Sequence, residues 1–166
     1  MNSSIIPNKR DGAALALMAG ATLGAAALGG LASPASSLRT RVWFRRLRKP
    51  PFQPPAKVFG PVWSTLYPMI ALSGYRTFRA PPSIERGRAL AWWGTQLGLN
   101  GLWSPLFFGW RKPVASLVDS AALLAATGQY VRHARRVDRA AAWMLAPYLG
   151  WLAFATVLNA EIVRRN

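Results

Sequence analysis

Five apolar stretches alternate with short polar and basic intervals along the chain. Each stretch has about 20 residues, the length that an α-helix needs to cross a hydrocarbon core of about 30 Å. The pattern therefore predicts an all-α integral membrane protein, a bundle of five transmembrane helices. The expected spans are residues 12–33, 58–78, 89–109, 113–131 and 140–163. They form one membrane domain over 12–163, with a polar amino-terminal segment at 1–11 and a short carboxyl end at 164–166.

The first apolar stretch allows two interpretations. Lys9 and Arg10 precede it and small residues end it near Ala35, as in a cleavable signal peptide. The stretch is long for a signal core and further spans follow, which favours a retained helix. Gly20 and Gly24 form a GxxxG pair, a spacing that lets membrane helices pack closely.

Proline and arginine dominate the long connection over residues 36–57. Because prolines lack a backbone donor, one continuous helix is not expected there. A short interfacial helix over 39–47 is expected instead, with Trp43 and Phe44 at headgroup depth. In the later spans, Pro68 and Pro147 are expected to kink their helices.

The third stretch has two different faces when it is wound as a helix of about 100° per residue. One face is aromatic and polar, and carries Trp92, Gln96, Asn100 and Trp103. The opposite face is small, and carries Gly94, Gly98, Gly101 and Pro105. The first face suits a ligand cavity, and the glycines of the second suit close approach of another helix, here predicted to be a dimer interface.

The net charge of +16 comes from 21 Lys and Arg residues against five acidic residues. The basic residues flank the apolar stretches, where they contact anionic headgroups, so a lipid bilayer is the expected partner and nucleic acid is not. The predicted topology puts ten basic residues on the amino-terminal side and eleven on the other. The positive-inside rule needs an asymmetry, so orientation is not predicted.

Few residues offer catalytic or metal chemistry. There is no Cys, and the one His, His133, lies among arginines, so thiolate sites, an intramembrane zinc site and a histidine triad are excluded. Asp119 lies inside the fourth span. An intramembrane carboxyl indicates either a functional site or a structural hydrogen bond to a neighbouring helix, such as one from an indole N–H.

Four ordered motifs between about residues 40 and 160 resemble the TspO/MBR family of tryptophan-rich sensory proteins and translocator proteins. They are Trp43 before Lys49-Pro50; Phe59-Gly-Pro-Val-Trp63 with Tyr67; Gln96-Leu-Gly-Leu-Asn100 with Trp103-Ser-Pro-Leu-Phe-Phe-Gly109; and Pro147-Tyr148-Leu-Gly-Trp151 through Leu158, with Asp119 preceding the last. The resemblance implies a five-helix bundle, usually a homodimer, with a pocket inside each protomer. It also implies binding of porphyrins such as protoporphyrin IX and of synthetic isoquinoline or benzodiazepine-type ligands.

The resemblance carries the family's pocket onto ten positions of this chain. They are Trp43, Phe59, Trp63, Gln96, Asn100, Trp103, Tyr148, Trp151, Ala155 and Leu158. Phe44 stands where many members have Tyr, and the carboxyl end lacks the Tyr of the sterol-contact position in animal members, which argues against cholesterol as the native ligand.

Three functions fit the resemblance: a sensor of tetrapyrroles, a transporter of hydrophobic molecules, and a protein that degrades porphyrin under light. No acid–base pair or metal site is visible, so an enzyme that works in the dark is not expected. No axial iron ligand is apparent either, so a metal-free tetrapyrrole is favoured over haem and no cofactor is expected. Interfacial anchoring explains Trp43, Trp92, Trp110 and Trp143; Trp63, Trp103 and Trp151 fit a pocket better. The membrane of a bacterial cell or of an organelle is the expected location.

Overall fold

The computed structural model describes residues 9–34 and 36–166. These residues form seven α-helices and one π-helical turn. The helices are α1 (Lys9–Leu31), α2 (Leu38–Arg46), α3 (Ala56–Arg79), α4 (Ile84–Ser104), α5 (Pro113–Ala134), α6 (Arg139–Met144) and α7 (Ala146–Arg165), and the π-helical turn is Pro105–Gly109. Most of the predicted polar segment 1–11, and Ala35 at the end of the possible signal peptide, lie outside the described residues.

These elements make six helical segments when α4 is counted with the π-helical turn that directly follows it and α6 is counted with α7, from which only Leu145 separates it. Five of the segments are long. The other one is α2, the short helix expected between the first two spans. Among the described helices, three segments are long and apolar enough to cross a membrane: Asp11–Leu31, Pro113–Ala134 and Arg139–Arg165. The predicted count of five transmembrane helices is therefore not confirmed, since α3 and α4 have the length but more polar residues.

Side-chain caps set where several helices begin. The Ser83 hydroxyl accepts a hydrogen bond from the Arg86 N–H at 3.1 Å, so α4 begins at Ile84, five residues before the expected span. Asp138 caps α6 by accepting from the Ala141 N–H at 3.0 Å. Such caps satisfy N–H groups that have no partner in the first turn of a helix.

Pro147 lies in the first turn of α7. The prediction that it kinks the middle of one helix was wrong, because the helix is already interrupted at Leu145. There the N–H bonds to the Ala142 carbonyl at 3.2 Å. Proline is tolerated in a first turn, where its missing donor would have no partner. Pro68, by contrast, lies inside α3, which is assigned as one continuous helix.

The long helices pack around α4, which lies against α1 and α5, while α5 also packs on α7. The backbones of α3 and α7 make little direct contact, so the two helices meet through side chains. The GxxxG pair of α1 packs on none of the residues that the structure describes, because a Cβ built on Gly20 or Gly24 meets no atom within 4 Å.

Candidate functional site

Four residues join α3, α4 and α7 through hydrogen bonds and ring contacts, and we call them the central cluster: Trp63, Tyr67, Asn100 and Tyr148. The Asn100 amide donates to the Tyr148 hydroxyl at 2.9 Å and accepts from the Tyr67 hydroxyl at 3.2 Å. The Trp63 ring stacks on Tyr67 with centroids 5.0 Å apart, and meets Tyr148 edge-on at 6.2 Å. One amide thus orients the aromatic side chains that fill the gap between three helices.

Gln96 lies one turn before Asn100 on α4 and is fully buried. Neither its amide nitrogen nor its amide oxygen has a hydrogen-bond partner. A buried amide without partners destabilises a fold by roughly 1–3 kcal/mol. The side chain therefore provides an NH2 donor group and a carbonyl acceptor that no other described residue uses.

Asp119 on α5 is the second buried polar side chain without a hydrogen-bond partner. The interpretation that it makes a structural hydrogen bond to an indole is not supported, because neither carboxylate oxygen accepts a hydrogen bond. The buried indole of Trp93 donates instead to the Ile70 carbonyl, at 3.0 Å.

A second aromatic group, the end cluster, comprises Trp43, Phe44, Trp103, Phe107 and Phe108. The Trp103 and Phe107 rings stack at 5.1 Å with an interplanar angle of 12°, and Trp43 meets Phe107 edge-on at 5.7 Å. Phe107 and Phe108 belong to the π-helical turn, which the Trp110 N–H closes by bonding to the Pro105 carbonyl at 2.8 Å. This turn brings both phenyl rings against α2.

An open groove of about 620 Å³ runs between α3 and α7. Its walls include Pro61, Val62, Leu66, Pro147, Trp151 and Phe154. Trp151 also meets Phe59 edge-on at 5.6 Å. Phe59 packs in turn with the buried pair Phe107 and Leu158, so the groove is connected through aromatic contacts to the end cluster.

Comparison with known proteins shows the family to which this chain belongs. The profile of the TspO/MBR family matches residues 16–165. This chain belongs to the TspO/MBR family. It is 41% identical over 140 residues to the tryptophan-rich protein TspO of Archaeoglobus fulgidus, covering 80% of this chain and 84% of the relative. It is 36% identical over 126 residues to the translocator protein of Homo sapiens, covering 75% of each, and 33% identical over 141 residues to the tryptophan-rich sensory protein of Cereibacter sphaeroides, covering 85% and 87%.

Family membership and the three apolar segments together establish a multi-pass membrane protein. In this TspO/MBR chain, the structure brings the ten predicted pocket residues into three groups. Trp63, Asn100 and Tyr148 meet in the central cluster, with Gln96 buried one turn away. Trp43 and Trp103 meet in the end cluster, against which Phe59 and Leu158 pack. Trp151 lines the groove, and Ala155 follows it one turn later on α7 as a half-buried residue.

Tyr67 and Phe107 were not among the predicted pocket residues, although each is central to its cluster. Tyr67 was detectable, because it lies four residues after Trp63 and so shares its helical face. Phe107 carried no such signal. It lies in the π-helical turn, where the rotation per residue differs from that of an α-helix, so an α-helical wheel does not place its ring.

The tryptophans expected at the membrane interface are not equivalent. Trp110 and Trp143 are 62% and 64% exposed, which fits interfacial anchors. Trp92 packs partly against the core and Trp43 packs in the end cluster. These two side chains therefore contribute to tertiary packing in addition to any contact with headgroups.

The three glycines predicted to form a dimer interface are placed differently. Gly94 and Gly98 are exposed, and a Cβ built on either meets no atom within 4 Å. Gly101 is buried, and a Cβ there would lie 3.6 Å from the Ala25 Cα of α1. Gly101 therefore serves packing within the protomer, and only Gly94 and Gly98 are available to a second copy.

Charged residues cluster at the end of the bundle where α4 begins. Glu85 contacts His133 Nδ1 at 2.6 Å and Arg136 at 3.2 Å, which ties α4 to the end of α5. The hydrogen bond with His133 is the main reason that the pKa of Glu85 lies below its ordinary value. Across the described chain, no three His, Asp or Glu side chains come together as a possible metal site.

Proposed function

We propose that this TspO/MBR protein is a membrane receptor that binds protoporphyrin IX or a related tetrapyrrole between α3, α4 and α7, and that binding regulates porphyrin or stress responses. The proposal rests on the buried amide of Gln96. This amide has no hydrogen-bond partner among the described residues, and it lies one turn from Asn100 of the central cluster. Apolar sites with a few convergent polar groups are the usual ligand sites between bundle helices.

The chemistry of the clusters suits a flat aromatic ligand. A porphyrin offers two π faces to indole and phenol rings, and each such aromatic pair is worth roughly 0.5–1.5 kcal/mol beyond area burial. Its two propionates suit arginines of the connection between α1 and α3 such as Arg45 and Arg48, through charge-assisted hydrogen bonds. We propose a metal-free ligand and a binding protein, with no dark catalysis; the names of the relatives above describe sensory and translocator proteins.

The assembly around this site is also a proposal. We infer that α3 and α4 cross the membrane together with the three apolar segments, because they lie among them and have 24 and 21 residues. We further infer a homodimer in which the exposed Gly94 and Gly98 of α4 face a second copy, as small residues do where membrane helices approach closely.

The binding proposal is tested by titrating protoporphyrin IX into the purified protein and following tryptophan fluorescence. Trp103→Ala and Trp151→Ala should each weaken binding roughly 3- to 10-fold, because each removes a stacking surface. Trp143→Ala is the control, since this side chain is exposed and stands outside both clusters. Unchanged affinity in both cluster variants, with the fold retained, would remove the proposed site.

Transport is the second candidate, and the open groove between α3 and α7 supports it. A ligand that enters through the groove passes Trp151 before it reaches the central cluster. This function predicts porphyrin flux across vesicles that contain the purified protein, and a slower flux when Gly150, which lines the groove, is replaced by Leu. Saturable porphyrin binding without flux would exclude the transport function and support the receptor function.

A further inference from the structure

A second groove lies on the outer side of α2 and has a volume of about 580 Å³. Its lining residues are Leu38, Arg39, Val42, Trp43, Arg46 and Arg111. Arg39, Val42, Trp43 and Arg46 recur at the spacing of one helical face, and Arg111 faces them from the connection between the π-helical turn and α5. The groove thus combines three guanidinium groups with an apolar wall.

The three arginines have no acidic partner among the described residues. The acidic residues elsewhere on the surface form ion pairs with other arginines: Asp11 with Arg79, Asp138 with Arg76, and Glu85 with Arg136. These three pairs lie at the opposite end of the bundle, where α1 and α4 begin.

At the end that carries α2, Glu161 is the acidic residue in ion pairs. It is occupied by Arg164 and Arg165, each at 2.9 Å. The remaining acid, Asp119, is buried inside the bundle. No acidic side chain of residues 9–34 and 36–166 therefore compensates the positive charge of the groove, and an anion from outside is its electrostatic complement.

Arg111 is held in an unusual conformation. Its φ of 54° places it in the left-handed region that favours glycine, and it is the non-glycine residue with positive φ in the part of the chain that the structure describes. Its guanidinium lies 5.8 Å from the centre of the Trp43 ring. Because the backbone at this position favours glycine, the arginine side chain is present at a conformational cost.

The apolar side of the groove, formed by Leu38 and Val42, indicates which class of anion binds there. Leu38 and Val42 are 73% and 40% exposed beside the arginines. In the chain, α2 connects the end of the apolar α1 to the start of α3, which is where lipid headgroups are expected. A free anion needs no apolar wall, whereas a phospholipid presents a phosphate together with the first methylenes of its chains. The choline of a neutral lipid would meet three like charges.

We propose that the groove formed by α2 and Arg111 binds the phosphate headgroup of an anionic phospholipid from the surrounding bilayer. The guanidiniums of Arg39, Arg46 and Arg111 hold the phosphate, and Leu38 and Val42 contact the upper part of the acyl chains. Because α2 also supplies Trp43 and Phe44 to the end cluster, a bound lipid would fix α2 against Phe107 and Phe108.

The test is native mass spectrometry of the purified full chain titrated with dioleoyl phosphatidylglycerol or dioleoyl phosphatidylcholine. The groove variant is Arg39→Gln/Arg46→Gln/Arg111→Gln. The control variant is Arg45→Gln/Arg48→Gln/Lys57→Gln, which removes the same charge at the same end of the bundle from side chains outside the groove. We expect the groove variant to lose phosphatidylglycerol affinity by at least about tenfold, and the control by less than about threefold.

A single substitution distinguishes a loss of lipid binding from a loss of folding. Arg111→Gly relieves the positive φ and removes one guanidinium, so it should keep or raise the Tm while weakening phosphatidylglycerol binding about threefold or more. Equal losses in the groove and control variants would overturn the proposal. So would displacement of the lipid by equimolar inorganic phosphate, which would show a free-anion site, or by equimolar protoporphyrin IX, which would assign the arginines to the porphyrin.

Discussion

At Gly74, a missing side chain sets the distance between α3 and α4. A Cβ built there would lie 2.5 Å from two atoms of the Trp93 indole. The ring has no room to withdraw, because it is buried and its N–H is bonded to the Ile70 carbonyl. The indole can therefore lie flat against the α3 backbone only while residue 74 is glycine.

Gly74→Ala should lower the Tm, by an amount corresponding to about 1–3 kcal/mol of overpacking, measured by thermal unfolding in detergent. Gly60→Ala is the matched control on the same helix, because a Cβ there meets no atom within 4 Å; its Tm should be unchanged or slightly raised, as alanine favours helix. Equal Tm values for the two variants would show that the Trp93 contact does not limit helix approach.

The sequence predicted some of these residues and not others, for a physical reason. Trp63, Tyr67 and Gly74 lie at the spacing of one helical face, which the sequence alone contains. The partner of Gly74 was not visible, because Trp92 was assigned to the functional face and Trp93 to none. Which of two adjacent tryptophans turns inward is decided by the neighbouring helix, and a single helix pattern does not contain that information.

At the scale of elements, the network around Glu85 joins the start of α4 to the end of α5. Because the pKa of Glu85 is lowered from 4.5, its carboxylate contributes stability that is present above pH 4.5 and is lost as the pH falls through the lower folded-state pKa. Glu85→Gln should therefore lower the Tm at pH 7, and the difference from the unsubstituted protein should shrink below pH 4.5. A difference that stays constant from pH 7 to pH 3 would assign the effect to packing instead of charge.

Helix boundaries show where sequence patterns stop being informative. Apolar periodicity located the long segments, but Ser83 begins α4 in a polar stretch that looked like a connection. The interruption at Leu145 lies inside an apolar run, where hydropathy gives no signal. The π-helical turn is equally hidden, although it positions two of the five rings of the end cluster. Caps and breaks of this kind depend on individual hydrogen bonds, and average composition does not report them.

At the scale of the whole molecule, exposed glycines on two helices offer competing dimer faces. Gly98→Leu should convert the proposed dimer to monomer, measured by light scattering in detergent, because a leucine would prevent close approach at α4. Gly24→Leu on α1 is the comparison, since Gly24 is likewise exposed with nothing against it. Dissociation by Gly24→Leu alone would move the interface to the GxxxG pair of α1.

The class of fold and the family followed from the sequence, whereas the architecture of the site did not. Four motifs identified the TspO/MBR family, and the profile match over 16–165 confirmed it. The wheel of the third stretch correctly separated the buried Gln96 and Asn100 from the exposed Gly94 and Gly98. The wheel could not show that Asn100 bonds to two tyrosines while Gln96 bonds to no described residue. Those contacts depend on the positions of α3 and α7 relative to α4.

The central claim is that Gln96 is kept unpaired inside the bundle for a ligand, and one variant tests it directly. Gln96→Leu removes the unpartnered amide, so it should raise the Tm while it weakens protoporphyrin IX binding roughly 3- to 10-fold in a fluorescence titration. Thr95→Leu, on the exposed side of the same helix, should change neither. A Gln96→Leu protein that binds protoporphyrin IX with undiminished affinity would contradict the account.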